Sequence, residues 1–575
     1  MKNLTTVLFL SIFISLSAQN PLLIPQTIES TNINLTLQNG TNQFFTGQTT
    51  ATMGANGNVL APTIIMQKGS NVNINVTNNL GQPTTIHWHG MHISASNDGG
   101  PHTVIDPGAT WNPQFEVMNK ASTMWYHPHL HEFTNEHVSK GLAGMLIIKD
   151  DEEAALELPR TYGIDDIPLI IQTKDFDANN QIIHDSNSDD VLMVNATLNP
   201  FKDVPAQVIR LRILNGSSQR VFNLGFTGDK TFYQIATDGG LKNTPTSLTR
   251  LKIAPGERTE ILVDLTGMQG QTLQLISYAS EFGNGIYGSS SPGMNSSMPL
   301  TGYNPNPLNG NDFNILQLTI IAQTANAVTT IPNSLVTYTP FLTTNSNQSR
   351  SMTLSSVTGG FQQLNGNFTV NNVSMDMNTI NVTIPLDNTE IWTIQNNSAI
   401  SHPFHIHDIQ FNIIEYNGST NVPAYLQGWK DTVLVPSGQG SVKVITKFED
   451  FADDTIPYMY HCHMLTHEDG GMMGQFVVVD PNASTVDLYL NDGFSIFPNP
   501  SENTYITVKL NEDIDNIRSY AVVNSLGQIV GYHKIHENEI NNMYSLPIFE
   551  YASGIYMLKL FTESAIYQKK FIIAK

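Results

Sequence analysis

The chain has 575 residues, a formal net charge of −22, 40% hydrophobic and only 13% charged residues, and a single cysteine. That length exceeds what one hydrophobic core supports, so three or four domains of roughly 100 to 200 residues are expected. The acidic balance disfavours nucleic acid and anionic membranes as partners, and one cysteine rules out an intramolecular disulfide.

Residues 1–18 read as a secretory signal peptide. Lys2 gives a positive start, 7–16 is an apolar run broken only by serine, and Ser15-Leu16-Ser17-Ala18 ends in small residues suited to cleavage after Ala18. That run is too short to span a bilayer stably, and no later stretch reaches the roughly 20 apolar residues of a transmembrane helix. A soluble, exported protein is expected.

Short Val-, Ile- and Leu-rich runs such as 72–76, 142–148 and 475–479, set among plentiful Asn, Thr, Gly and Pro, predict an all-β chain. A first β-domain over 19–155 carries His87-Trp88-His89-Gly90 and Trp125-Tyr126-His127-Pro128-His129, and the acidic stretch 150–157 marks its end. A second, over 156–325, has strand-like runs at 208–214 and 260–265. It holds one histidine, His184, and no cysteine, and so reads as a spacer or scaffold. The Thr/Asn/Pro-rich stretch 323–340 leads into a third, over 326–482, with His402-Pro403-Phe404-His405-Ile406-His407 and His461-Cys462-His463-Met464-Leu465-Thr466-His467-Glu468. The first and third domains repeat one another, because Tyr126-His127-Pro128-His129-Leu130 matches Tyr460-His461-Cys462-His463-Met464. Pro128 stands in the cysteine's place, so only the third domain can make a thiolate site. Residues 492–575 differ in character and form a separate small β-module.

Strand side chains alternate faces, so residues at i and i+2 point the same way. His87 with His89, His127 with His129, His405 with His407, and His461 with His463 make four same-face pairs. Eight imidazoles without thiolate suit a cluster of several coppers with positions open to oxygen. Cys462 and His402 have the opposite parity and share a second site with His467. Two imidazoles, a thiolate and a weak axial thioether from Met472, with Met473 as its rival, describe a blue-copper electron-transfer centre. His92, His102, His131 and His137 lack the phase of the paired histidines and read as supporting or surface residues.

These four motifs, in this order, resemble those of the three-domain multicopper oxidases, a superfamily of laccases, bilirubin oxidases and bacterial copper-efflux oxidases. Weaker similarity includes Asp165-Asp166-Ile167-Pro168, Arg210-Leu211-Arg212-Ile213-Leu214-Asn215-Gly216 and Trp429-Lys430-Asp431-Thr432. The resemblance implies three consecutive cupredoxin-like Greek-key β-sandwich domains and four coppers per chain. Type 2 copper falls to His87 and His405. One type 3 copper falls to His89, His127 and His463, and the other to His129, His407 and His461. Type 1 copper falls to His402, Cys462, His467 and Met472. It further implies that a small reducing substrate gives electrons singly to type 1 copper, that they cross from Cys462 to its histidine neighbours, and that dioxygen is reduced to water. Asp98 and Glu468 match positions that deliver protons; read alone, Asp98 is a turn former and Glu468 an acid orienting a ligand. Phenols or aromatic amines are the leading substrates, with Cu(I) or Fe(II) as the alternative. Met294, Met298, Met375 and Met377 offer thioethers but no dense methionine segment. A nitrite-reductase-like enzyme would lack the type 3 pairs, and a non-enzymatic scaffold would have lost ligands.

The C-terminal module has its own resemblance. Phe497-Pro498-Asn499-Pro500, Ser525-Leu526-Gly527-Gln528, Ser553-Gly554-Ile555-Tyr556 and Lys569-Lys570-Phe571 are similar to a type IX secretion sorting domain. It implies passage through the periplasm by the type IX machinery to the cell surface or beyond. A monomer is expected.

Overall fold

The computed structural model describes residues 19–293, 300–303, 306–357, 364–365, 367–480, 493–511, 517–524, 529–535, 543–549, 551–562 and 566–575. The expected signal peptide, Met294, Met298 and the 525–528 turn lie outside them. The chain divides into two units, Met1–Val479 and Asp480–Lys575.

Within the larger unit, six sheets pair around three cores. In the first sandwich, the sheet of Thr27–Glu29, Thr63–Gln67, Gly144–Lys149 and Ser122–Tyr126 faces one built on Thr50–Ala55, Asn32–Asn42, Asn71–Asn79 and Thr110–Trp111. Alternation sets its inner face: Ile33, Leu35 and Leu37 are buried, while Asn32, Asn34 and Thr36 turn outward. Gly144–Lys149 reads as a continuous apolar run because both its faces are covered. Leu146 and Ile148 enter the first core, while Met145 and Ile147 pack with Trp125 against Ile170 and Leu214 of the middle sandwich.

The middle sandwich joins a seven-stranded to a six-stranded sheet around Leu169, Ile209, Leu211, Phe222 and Leu318. Its edge strand is Asn20–Pro21, which pairs in parallel with Pro200 and Phe201. The start of the described chain therefore folds with the middle sandwich, ahead of the strands that build the first. In the third sandwich, the sheet of Val382–Pro385, Met473–Val479, Asp453–Cys462, His402–Ile406 and Thr432–Val435 packs on one containing Thr389–Asn396 and Ser441–Lys447. Its core includes Trp392, Phe404, Phe476, Cys462 and Met472. Full burial of one large apolar side chain stabilises by about 1.5–3 kcal/mol. Stability therefore resides in the inner faces, and the strand ends are left to carry polar groups.

The smaller unit has a three-stranded sheet, Phe494–Phe497, Tyr505–Leu510 and Met543–Pro547, and a four-stranded sheet running from Ile529–Lys534 to Ile566–Ile573. Phe494, Ile506, Val508, Leu558 and Phe571 form its core. Among the described residues, no helix is long and apolar enough to cross a membrane.

Candidate metal centre

Strand register separates the two sets of ligands. Across the antiparallel pair His402–Ile406 and Asp453–Cys462, His405 lies opposite His461 and Phe404 opposite Cys462. Alternation then turns His405 and His461 to one side, and His402, Phe404 and Cys462 to the other. His127, His129, His407 and His463 lie beyond the ends of their strands, so short extended segments, not the ladders themselves, keep the pairs in phase. His87 and His127 exchange backbone hydrogen bonds of 2.8 and 3.1 Å, which joins two of these segments.

All eight paired imidazoles are buried, and their ligating atoms gather into groups: His87, His405 and His407; His89, His127 and His463; His129, His407 and His461. The Nε2 atoms of His129, His407 and His461 lie 3.1–3.3 Å apart. Their outer nitrogens are held. His407 Nδ1 is 2.8 Å from Asp98 Oδ2, and His461 Nδ1 is 3.1 Å from both Cys462 O and Glu468 Oε2. Glu468 Oε1 is 3.4 Å from His129 Nδ1. His87 Nδ1 and His405 Nδ1 each face a backbone carbonyl, Asp98 O and Asp431 O, both at 2.9 Å. His127 Nδ1 is 2.8 Å from Pro128 O.

The inward atoms His87 Nε2, His89 Nδ1, His127 Nε2 and His405 Nε2 are buried without a hydrogen-bond partner among the described residues. Buried polar atoms are almost always paired, so lone pairs turned on one another fit a shared cation. Burial, reinforced by neighbouring imidazoles, holds His89, His127, His405 and His407 well below the usual imidazole range and His463 at about 3. They are neutral, as metal ligands must be. Burial alone would raise the Glu468 carboxyl, but the facing edges of His129 and His461 hold it well below the usual range.

The sulfur-containing group is a separate triangle. Cys462 Sγ is 3.5 Å from His402 Nδ1 and 3.7 Å from His467 Nδ1, and the two nitrogens are 3.2 Å apart. A point equidistant from the three atoms is roughly 2 Å from each, within the range of metal–imidazole bonds. His467 Nε2 donates to Leu364 O at 2.8 Å, which fixes the tautomer that leaves Nδ1 free, and His402 Nε2 is 2.7 Å from Ser398 Oγ. Burial raises the Cys462 thiol far above its ordinary value, so a bound cation is what would displace its proton. Met472 follows the left-handed Gly471 and accepts the Cys462 N–H at 3.0 Å through its carbonyl. Its side chain enters the core that holds Cys462, whereas Met473 pairs with His461 in the sheet. His467 and Glu468 are neighbours on the short helix Leu465–Asp469, where one faces Cys462 and the other His129 and His461.

His92 bridges the first and third sandwiches, with Nδ1 at 2.8 Å from Asp408 and Nε2 at 3.1 Å from Asp450. His137 is buried against Thr84 and Gln82, and His102 is bonded to Gln475. Sequence reading passed over three groups at the site. Asp431 Oδ1 is 3.1 Å from His89 Nε2; Arg258 grips both Asp431 oxygens at 2.7 and 2.5 Å; and Gly256, at φ +83°, packs on the His463 ring, where a Cβ would come within 2.8 Å. Arg258 and Gly256 belong to the region read as a spacer or scaffold, and of the two it acts as a scaffold: the middle sandwich supplies the groups that brace Asp431 and His463. The available signal was a charged residue inside an apolar strand run of a chain poor in charge.

Three family profiles described as Multicopper oxidase match 36–153, 125–279 and 344–482, and one described as Secretion system C-terminal sorting domain matches 495–574. A multicopper oxidase of Staphylococcus haemolyticus is 32% identical over 81% of this chain and 94% of its own length. The cell division protein FtsP of Photorhabdus laumondii is 30% identical, over 81% of this chain and 94% of its own. Among solved structures, a laccase-like multicopper oxidase from Ochrobactrum, described as having oxidase activity towards lignin model compounds, superposes with a TM-score of 0.69. Its identity is 32%, over 80% of this chain and all of its own.

Proposed function

This chain belongs to the multicopper oxidase family, and on that premise we propose that it is an exported, laccase-type enzyme that oxidises phenols or aromatic amines one electron at a time and reduces dioxygen to water. The observation that carries the reading is the complete donor set: eight buried imidazoles converge in one cluster, and the Cys462 sulfur with two imidazoles forms a triangle beside it. Type 2 copper is assigned to His87 and His405. The type 3 coppers are assigned to His89, His127 and His463 and to His129, His407 and His461, and type 1 copper to His402, Cys462, His467 and Met472. When bound, these coppers supply one-electron acceptance at the thiolate site and four-electron reduction of dioxygen at the cluster.

Cys462 adjoins His461 and His463 in the chain, so the two donor groups are joined by covalent bonds through which an electron arriving at sulfur can cross. Asp98 turns one oxygen to His407 Nδ1, while its Oδ1 is buried with no hydrogen-bond partner among the described residues. It is placed to hold a proton at that atom. Glu468 spans His129 and His461 and is the second proton carrier. The domain limits 19–155, 156–325 and 326–482 are kept, with Asn20–Pro21 as an arm of the first laid on the second. The sorting domain supports export, and a signal peptide over 1–18 would supply the first step.

Purified protein loaded with copper is expected to hold four coppers per chain, to be intensely blue, to lose that colour in Cys462→Ser, and to consume oxygen without releasing peroxide. A colourless protein that takes up no copper would overturn the assignment. One observation favours oxidation of Cu(I) or Fe(II) as a second reading. His402 and His467 are fully buried, with their outer nitrogens occupied by Ser398 and Leu364, so neither presents an edge to an organic substrate. Turnover of a phenol against that of Cu(I) decides between them.

A further inference from the structure

We propose that Asp431, clamped by Arg258 of the middle sandwich, is a positioning residue that sets which nitrogen of His89 faces the metal cluster. It pairs with Asp98 as the second of two brackets around the cluster. This rests on the four-copper reading above.

Two stacked imidazole pairs face one another across the cluster. His87 lies on His407 with centroids 3.9 Å apart at 19°, and His405 lies on His89 at 3.7 Å and 9°. One aspartate serves each stack, in the same way. Asp98 offers its backbone carbonyl to His87 and its carboxylate to His407; Asp431 offers its backbone carbonyl to His405 and its carboxylate to His89. The stacks differ in one respect. His407 meets its aspartate through Nδ1, while His89 meets Asp431 through Nε2, which leaves Nδ1 as its inward atom. The ring orientation of His89 is thus reversed relative to His87, His127, His405, His407 and His461, and Asp431 is the carboxylate that accepts its outer N–H.

The two brackets are also supported differently. Asp431 Oδ1 receives Arg258 at 2.7 Å and the Thr432 hydroxyl at 2.9 Å, while Oδ2 receives Arg258 at 2.5 Å. Asp431 makes a close group with His89 and His405, but its oxygens are already taken by these donors, which argues against its being a ligand. Arg258 also donates to Thr123 O of the first sandwich at 3.3 Å and to Gly256 O at 2.9 Å, and its own N–H donates to Asp238 at 2.7 Å. The clamp is therefore built from all three sandwiches. Gly90, next to His89, leaves it room, since a Cβ there would lie 2.7 Å from Arg258 and 2.8 Å from Asp431. A bidentate guanidinium–carboxylate pair fixes both position and orientation. Among the described residues Asp98 has no such cation and its Oδ1 has no hydrogen-bond partner, so of the two aspartates Asp431 is the one held still.

Asp431→Leu is the direct test. Asparagine would not serve, because its amide oxygen can stand in the place of Oδ1 and still accept from His89 while its NH2 meets a single Arg258 nitrogen; leucine offers His89 Nε2 no carboxylate, so the ring is free to turn or to change tautomer. The wild type should show the blue band, the near-ultraviolet band of the paired coppers and the type 2 electron paramagnetic resonance signal. In Asp431→Leu the blue band should persist, the near-ultraviolet band should be lost, and copper affinity at the cluster should fall roughly 10- to 100-fold. Arg258→Met combined with Asp431→Leu removes both charges together, a replacement that buried ion pairs often tolerate. It should recover thermal stability but not the near-ultraviolet band, and it decides the matter if the single variant does not fold. Wild-type copper content and bands in Asp431→Leu, or their return in the double variant, would overturn the proposal. A wild type without a blue band would instead defeat the four-copper reading on which it rests.

Discussion

Asp98 and Asp431 show what a sequence does and does not display at the level of single residues. The imidazoles and Cys462 were legible because ligands repeat at fixed short spacing, and Asp98 and Glu468 because they lie close to ligand motifs. Asp431 gains its meaning from His89, 342 positions away, and from Arg258, 173 positions away, and no local pattern encodes such pairings. The proton role of Asp98 makes a sharp prediction. Asp98→Asn keeps an oxygen acceptor for His407 Nδ1 but removes the site for a transferable proton. Copper content and blue colour should be retained while oxygen uptake falls by roughly 100-fold or more. Unchanged turnover, with metal analysis showing full loading, would remove Asp98 from proton delivery.

At the scale of elements, period-two patterning found the strands, and parity placed Cys462 and His402 opposite the paired histidines. What it missed are the segments where that period ends. His467 and Glu468 reach different sites because Leu465–Asp469 is a turn of helix, in which neighbours diverge, and nothing in Leu465-Thr466-His467-Glu468-Asp469 has the length to declare one. The loop before strand Arg258–Asp264 was equally silent. Gly256 sits there at φ +83° with the His463 ring where a side chain would go. Gly256→Ala should cost more than about 1 kcal/mol through backbone strain alone, and should displace His463 as well. Thermal melts of the copper-free variant report the first effect, and the near-ultraviolet band of the loaded variant reports the second. A lowered melting temperature with an unaltered band would mean that the glycine serves the turn and not the ligand.

For the molecule as a whole, the repeat in the sequence announced two related sandwiches, yet nothing announced how the three are tied together. Arg258 is one tie and His92 is another. His92 belongs to the first sandwich and lies between Asp408 and Asp450 of the third, with 18% of its side chain exposed and Phe451 at 4.9 Å. Burial works to lower its pKa, and the charges and hydrogen bonds of Asp408 and Asp450 outweigh it, so the imidazole is raised to about 9. A group whose folded pKa exceeds its ordinary value of about 6.5 stabilises the fold fully below that value and loses its contribution as pH rises through the folded pKa. The tie should therefore hold from acid to neutral pH and weaken between about pH 6.5 and pH 9, with a total contribution of about 1–3 kcal/mol after allowance for its partial exposure. His92→Gln can still hydrogen-bond one aspartate but carries no charge. It should lower the melting temperature near neutral pH and converge on the wild type above about pH 9.5. If the gap between the two proteins stays constant across that range, the imidazole is neutral in the fold and the tie is an ordinary hydrogen bond.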